Sequence, residues 1–70
     1  MIKNDILTIF DINKSKWTVK EKGKRKEIQL FSTPQQAQFY GEQIAKENKR
    51  KHFLYNIDGT IVLLNDYTEK

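Results

Sequence analysis

Side chains that could perform catalysis are few in this 70-residue chain, and they are not clustered. His52 is its one histidine, and the absence of cysteine excludes disulfides, thiolate metal sites and a cysteine nucleophile. Ser15 and Ser32 have no base nearby in sequence, and the carboxylates are scattered. A metal or acid–base site needs such groups to converge in a cleft. We therefore predict no enzymatic activity, catalytic residue, metal or cofactor, and we expect His52 to be a partly exposed strand residue.

The basic residues are mostly lysine, with 11 lysines against two arginines, and the net charge is +4. This bias is typical of an AT-rich genome. It argues against sequence-specific DNA recognition, because bidentate contacts to guanine and phosphate favour the arginine fork. A 70-residue domain with one helix also has little room for a small-molecule pocket, so we expect no such substrate.

Two basic groups are candidate nucleic-acid contacts: one between positions 14 and 26, which holds one acid, and one that begins at the end of a predicted helix. A basic hairpin tip can follow phosphates without reading sequence. Alternatively, the lysines solubilise a small sheet and protect its edges from aggregation. The candidate contacts are Lys14, Lys16, Lys20, Lys22, Lys24, Arg25, Lys49, Arg50 and Lys51.

The elements that must position these groups begin with three strands. Residues 6–12 are β-branched and apolar on both alternations, which is typical of an interior strand. Residues 16–21 alternate, with Trp17 and Val19 on the apolar side. A type II′ turn with Gly23 and Lys24 at its centre would then set the register of the first hairpin. The predicted pairs are Val19 with Ile28, Trp17 with Leu30, Lys20 with Glu27, and Thr18 with Gln29.

A helix is predicted from Pro34 to about Asn48. Thr33 is a good N-cap, Pro34 suits the first helical position, and Gln36 completes a capping box. Residues at three- and four-residue spacing form one stripe, in which small residues allow the helix to lie close to a sheet. The stripe consists of Ala37, Tyr40, Gly41, Ile44, Ala45 and Asn48. Phe39 lies on the opposite side and should be exposed, as single apolar residues often are.

A second hairpin is predicted around Asp58 and Gly59 as a type I′ turn. In that register both faces are partly apolar, and one helix cannot cover both. The surplus favours self-association, so we predict a homodimer interface formed by Phe39 or by the less buried face. The candidate interface residues are Phe39, Leu54, Ile61 and Leu63. The other face carries Phe53, Tyr55, Ile57, Val62 and Leu64.

Together these segments predict one α+β domain over residues 1–70, with an ordered core from about 6 to 65. The element order is β-β-β-α-β-β, with the helix packed on a mainly antiparallel sheet. Such a small domain buries about 60% of its unfolded surface, so a partner chain is the available supplement to its stability. The lack of cysteine, of an apolar span of about 18 residues and of a signal-peptide pattern predicts a cytoplasmic protein. The predicted core is Trp17, Val19, Ile28, Leu30, Phe31, Ala37, Tyr40, Ile44 and much of 53–64.

The chain also resembles a small bacterial and phage family, domain of unknown function 2188, over about residues 6–64. The resemblance lies in a W-x-V-K strand, an F-x-T-x-x-x-A helix entry, a small-residue helix stripe and a D-G-x-I hairpin. The matching residues are Trp17, Val19, Lys20, Phe31, Thr33, Ala37, Ala45, Asp58, Gly59 and Ile61. The resemblance implies a prophage context and transfers no function.

We therefore carry two functional hypotheses. The first is a small, prophage-borne, homodimeric interaction module without catalysis that binds another protein. The second is an accessory protein that binds nucleic acid nonspecifically through the basic hairpin. Neither hypothesis involves a membrane.

Overall fold

A computed structural model describes residues 3–68, which form one helix and five strands in the predicted order. The elements are β1 Ile6–Asp11, β2 Lys16–Glu21, β3 Glu27–Phe31, α1 Pro34–Asn48, β4 Lys51–Tyr55 and β5 Ile61–Asp66. The strands form one sheet in the order β3-β2-β1-β4-β5, in which only the β1–β4 pair is parallel. The predicted α+β class and mainly antiparallel sheet are confirmed, and the apolar β1 lies at the centre.

Helix α1 begins and ends as its sequence predicts. The Thr33 hydroxyl accepts a hydrogen bond from the Gln36 backbone N–H at 3.3 Å, and Pro34 occupies the first turn. The helix ends at Lys49, which adopts the left-handed conformation with φ 56°. Three small residues of the predicted stripe are buried against the sheet. These residues are Ala37, Gly41 and Ala45.

The first hairpin differs from the predicted register. The Lys24 backbone N–H donates to the Glu21 carbonyl at 3.1 Å, so Gly23 takes its positive φ as the third turn residue. The pair Lys20–Glu27 is confirmed, but a bulge beside it shifts the remaining pairs by one residue. Those pairs are Val19 with Gln29, Thr18 with Leu30, and Trp17 with Phe31.

The core lies between α1 and one face of the sheet. Its fully buried members are Ile6 and Val19 from the strands and Ala37 and Ala45 from the helix. Partly buried side chains complete it, namely Trp17, Ile28, Phe31, Tyr40, Ile44 and Tyr67. The prediction for Leu30 was wrong, because the one-residue shift moves it to the other face, where it is 39% exposed. The prediction that much of 53–64 lies in the core was also wrong, because Ile57, Ile61, Val62 and Leu63 are exposed.

The second hairpin has a three-residue loop instead of the predicted two-residue turn. The Asn56 N–H donates to the Thr60 carbonyl at 2.8 Å, and Gly59 has φ 95°. This is the geometry of a type I turn followed by a glycine bulge. Cross-strand partners share a face, so the changed loop regroups the apolar residues. The partners are Leu54 with Val62, Phe53 with Leu63, and Tyr55 with Ile61.

The predicted grouping of Leu54 with Ile61 and Leu63 is therefore wrong. Leu54 pairs with Thr8 on the helix side, whereas Ile61 and Leu63 lie on the opposite face. Beyond the predicted ordered core of about 6 to 65, Tyr67 packs against the core and donates its hydroxyl to Glu42 at 3.0 Å. Residues 1–2 and 69–70 of the predicted domain lie outside the described range.

Candidate functional site

The sheet face turned away from α1, here called the open face, carries apolar side chains whose exposure increases towards β5. Leu7 is buried, whereas Ile9, Phe53 and Tyr55 are half-buried. The apolar residues of this face form two rows across β1, β4 and β5, because strand partners share a face. One row is Leu7, Phe53 and Leu63, and the other is Ile9, Tyr55 and Ile61. At the outer strand Ile61 is 56% exposed and Leu63 is 48% exposed.

The β2 and β3 side of the open face is more polar. Thr18 is buried there and donates its hydroxyl to the Ile9 carbonyl at 3.0 Å. Lys14 reaches Glu27 at 2.5 Å. Their hydrogen bond, aided by charge attraction, raises the pKa of Lys14 and lowers the pKa of Glu27. The apolar rows are therefore bordered by polar groups, a distribution found in protein interfaces.

Phe39 lies apart from the open face, on the helix side, where it is 66% exposed as predicted. It borders a groove between α1 and β5 whose other lining residues are mostly polar. Those residues are Gln35, Gln38, Glu42, His52, Leu64 and Asn65. The predicted interface set is thus divided between two surfaces, with Phe39 and Leu54 on one side of the sheet and Ile61 and Leu63 on the other.

His52 is fully buried, so the prediction of a partly exposed histidine was wrong. Its Nδ1 lies 3.1 Å from Asn65 Oδ1, and its Nε2 lies 2.7 Å from Thr8 Oγ1. Since an amide oxygen can only accept, Nδ1 carries the proton and Nε2 accepts from the Thr8 hydroxyl. Burial lowers the pKa of His52, while the Asn65 hydrogen bond and the Glu42 charge act in the opposite direction. This satisfied neutral ring is a structural group of the core.

In the structure the residues of the first basic group are not all close together, and some of them lie beside the second basic group. Lys14 and Lys16 lie before or at the start of β2, and Lys22, Lys24 and Arg25 follow its end. A six-residue strand is about 20 Å long, so Lys16 and Lys22 lie at opposite ends of the sheet. The Lys14 side chain nevertheless reaches Glu27, and Arg25 lines a pocket on the open face with the same glutamate. Lys20 lies within β2 and is half-buried.

One cleft, here called the basic cleft, is lined by residues from both basic groups. Lys22 and Gly23 contribute the hairpin side, and Arg50 contributes the segment between α1 and β4. The Lys22 N–H donates to the Asp5 carbonyl at 2.8 Å, and Arg50 Nη1 donates to the Lys3 carbonyl at 2.8 Å. The remaining lining residues are Lys3, Asn4 and Asp5. Lys49, the helix cap, and Lys51, the first residue of β4, flank Arg50 in sequence.

Residues 3–68 contain no group of three or more His, Cys, Asp or Glu side chains arranged to hold a metal ion. Across the same residues, no helix combines the length and the apolar character needed to cross a membrane. The two functional hypotheses concern the open face and the basic cleft. The sequence interpretation did not select four open-face residues, Leu7, Ile9, Phe53 and Tyr55. For Phe53 and Tyr55 the available signal was Gly59 at the third loop position, which fixes their register with β5. Leu7 and Ile9 join them through the parallel pairing of β1 with β4, which has no local signal.

Comparison with known proteins gives one match. The family model described as "Uncharacterized protein conserved in bacteria (DUF2188)" matches residues 8–67, which include both hairpins and the helix. No curated protein and no solved structure gave a match. The matched range covers most of the 70-residue chain, and the resemblance inferred from its motifs is confirmed. The chain belongs to this family of uncharacterised bacterial proteins.

Proposed function

We propose that the chain is a protein-interaction module without catalysis that forms a homodimer through the open face. One observation carries this proposal: the two apolar rows lie across three adjacent strands on the face that α1 does not cover. An exposed apolar patch with a polar border is typical of an interaction surface. The family resemblance and the lysine-rich composition support a prophage origin, and the lack of cysteine supports a cytoplasmic protein.

The size of the domain supports a second copy as the first partner. A chain of 70 residues has a small core, and apolar burial against another copy supplements its stability. A two-fold dimer places the same patch on both sides of the interface. Apolar rows therefore contact apolar rows, and no like charges within the rows face each other. Stable interfaces bury about 800 Å² on each partner, which requires the polar border as well as the rows.

Sedimentation equilibrium over a wide micromolar range tests the dimer. We expect the wild-type mass to approach two chains, and we expect Tyr55→Lys and Ile61→Lys to yield monomers. The matched control is Phe39→Lys, because Phe39 is highly exposed but lies on the helix side of the sheet, away from the two rows. A monomeric wild type at high micromolar concentration would contradict the proposal, provided that circular dichroism shows a folded chain.

A second candidate function is nonspecific nucleic-acid binding, and the basic cleft favours it. Lys22 and Arg50 lie far apart in sequence but line the same cleft as Lys3, which concentrates positive charge at one end of the domain. Contacts of lysine and arginine to phosphate provide affinity that falls steeply with salt. The exposed Lys24 of the neighbouring loop extends this surface, because its charge acts on Glu21, whose carboxylate accepts the Lys3 and Asn4 N–H groups. Arg25 instead lines the open face beside Ile9 and Thr18.

Titration of labelled protein with duplex DNA, single-stranded DNA and RNA tests this function. Binding to phosphate should weaken linearly on a log–log plot against salt, with a slope near −0.9 for each duplex phosphate neutralised. The double change Lys22→Glu and Lys24→Glu should abolish binding and leave the dimer intact, because neither residue lies on the open face. Lys16→Glu is the control, because Lys16 lies at the opposite end of β2. Amide shifts that do not map to the basic cleft would exclude this candidate.

A further inference from the structure

The exposed outer edge of β5 carries apolar side chains on both faces of the sheet. Val62 lies on the helix side, and Ile61 and Leu63 lie on the open face. No strand among residues 3–68 lies beyond β5. A partner placed on one face would cover only part of this surface. A strand added along the edge would contact the side chains on both faces.

The hydrogen-bond register shows which backbone groups face outwards. Asn56 donates to the Thr60 carbonyl, so these two residues form a hydrogen-bonded pair. Such pairs alternate along an antiparallel ladder, which makes Leu54 and Val62 the next one. The N–H and C=O groups of Ile61 and Leu63 therefore point away from β4. The bulge at Leu64 ends this regular edge, which leaves two donors and two acceptors for an added strand.

The opposite edge of the sheet provides a contrast. Strand β3 has five residues, begins at a bulge, and follows a loop rich in lysine and arginine. These are features by which proteins prevent unwanted strand pairing. Strand β5 contains no lysine, arginine or proline. The two edges are thus unequal, and β5 is the one suited to receive a strand.

The charges beside β5 indicate the chemistry of the added strand. Asp58 lies in the loop at one end, and Glu42 lines the groove beside Leu64 at the other end. Hydrogen bonds from Thr60 lower the pKa of Asp58, which keeps that carboxylate ionised. In a symmetric pair of β5 strands the acidic ends would approach acidic ends. A segment with basic ends is therefore favoured over a second copy.

We infer that the β5 edge binds an extended segment of another protein, apolar in its middle and flanked by lysine or arginine. Its backbone pairs with Ile61 and Leu63, and one of its side chains enters the groove beside Phe39 and Leu64. This inference rests on the proposed role as an interaction module and is independent of the homodimer. Dimer contacts through the open face leave the outward backbone groups of β5 accessible.

The probe is an acetylated peptide of alternating valine and threonine with two lysines at each end, titrated into ¹⁵N-labelled full-length protein. We expect amide shifts at Ile61, Leu63 and Phe39. Replacing the peptide lysines by glutamate should weaken binding by about threefold or more. N-methylation of the peptide amides that face β5 should abolish binding. N-methylation of the alternate amides, which face away from β5, should have little effect. Absence of shifts at β5 with millimolar peptide would overturn the inference.

Leu63→Pro is the decisive variant, because it removes an outward N–H without removing a hydrogen bond to β4. We expect it to weaken peptide binding by about fivefold or more. Leu63→Thr shortens the side chain but keeps the N–H, so it should bind more tightly than Leu63→Pro. Equal affinities would overturn strand addition. If Leu63→Pro does not fold, the N-methylated peptides provide the same comparison on the wild-type protein.

The dimer is followed by sedimentation in the same samples. The dimer-breaking variant Tyr55→Lys should bind the peptide as the wild type does, because Tyr55 lies on β4. Peptide binding by a monomeric wild type would reject the homodimer and support the edge site. An intact dimer without peptide binding would reject only the edge site. If the peptide dissociates the dimer, a second copy occupies the edge and the inference is wrong.

Discussion

The Thr8 hydroxyl and Nε2 of His52 lie 2.7 Å apart in the fully buried layer between the sheet and α1. A Cβ atom at Gly41 would lie 2.6 Å from that Nε2 and 3.0 Å from Thr8 Oγ1. The polar pair and the helical glycine therefore form one packing unit, in which the helix approaches the sheet because position 41 has no side chain.

The first prediction concerns the pH dependence of stability. Burial lowers the pKa of His52 below its ordinary value of 6.5, so below that pH the unfolded chain binds more protons than the folded chain. The contribution to stability is present above pH 6.5 and is lost as the pH falls towards the folded pKa. Urea unfolding between pH 8 and pH 5 measures the free energy of unfolding. This group should make that free energy fall with decreasing pH by at most about 1.4 kcal/mol per pH unit.

His52→Gln should remove this slope, although it lowers stability at all pH values. Thr68→Ala is a distant control that should retain the slope, since Thr68 is exposed. A wild-type protein whose stability is constant between pH 6.5 and pH 5.5 would contradict the burial of a neutral imidazole.

Gly41→Ala should destabilise the fold although alanine is the better helix former. The gain in helix propensity is about 1 kcal/mol. The added methyl group meets His52 and Thr8 in a packed layer, where overpacking costs about 1–3 kcal/mol. Chemical unfolding should therefore show a net loss of stability. Combining Gly41→Ala with His52→Ser makes room for the methyl group. The double variant should therefore lose less unfolding free energy than the sum of the losses measured for the two single variants. A stabilised Gly41→Ala protein would disprove the close contact.

Gly59→Ala should destabilise the second hairpin. Gly59 has φ 95°, a conformation that alanine adopts at a cost of about 1–2 kcal/mol. Gly23→Ala at φ 86° is a matched change in the first hairpin, and the space around both glycines is open. Thermal or chemical unfolding measures both losses. A neutral effect of Gly59→Ala would mean that the loop takes another conformation, and the register of β5 would then need revision.

Thr33→Ala should cost about 1 kcal/mol of unfolding free energy. The Thr33 side chain accepts the Gln36 backbone N–H, and removing it leaves a helix donor without that partner. Thr33→Ser keeps the hydroxyl and should restore most of the stability. The neighbouring Ser32→Ala is a control, because the Ser32 hydroxyl accepts from exposed Lys16 and does not cap the helix. Equal losses for Thr33→Ala and Thr33→Ser would exclude capping as the cause.

The helix and the element order could be read directly from the sequence. Thr33, Pro34 and the small residues at positions 37, 41 and 45 act through local capping and helical spacing, which do not depend on a distant segment. The strands were recognisable for the same reason, because apolar alternation and turn residues are local signals. Lys22 was recognised as a basic hairpin residue, but its position in one cleft with Arg50 depends on the order of strands in the sheet.

Faces and partners required the tertiary structure. Side chains alternate along a strand with a period of two, so one additional loop residue at Gly59, or one bulge beside Lys20, transfers a whole set of residues to the other face. Leu30, Leu54 and Phe53 were misplaced for this reason. The burial of His52 likewise depends on Thr8, Gly41 and Asn65, which lie far from it in sequence and meet it only when β1, α1 and β5 pack together. Local signals in the chain therefore specify which elements form. Strand register and long-range packing, which exist only in the folded domain, specify which side chains are buried and which remain available to a partner.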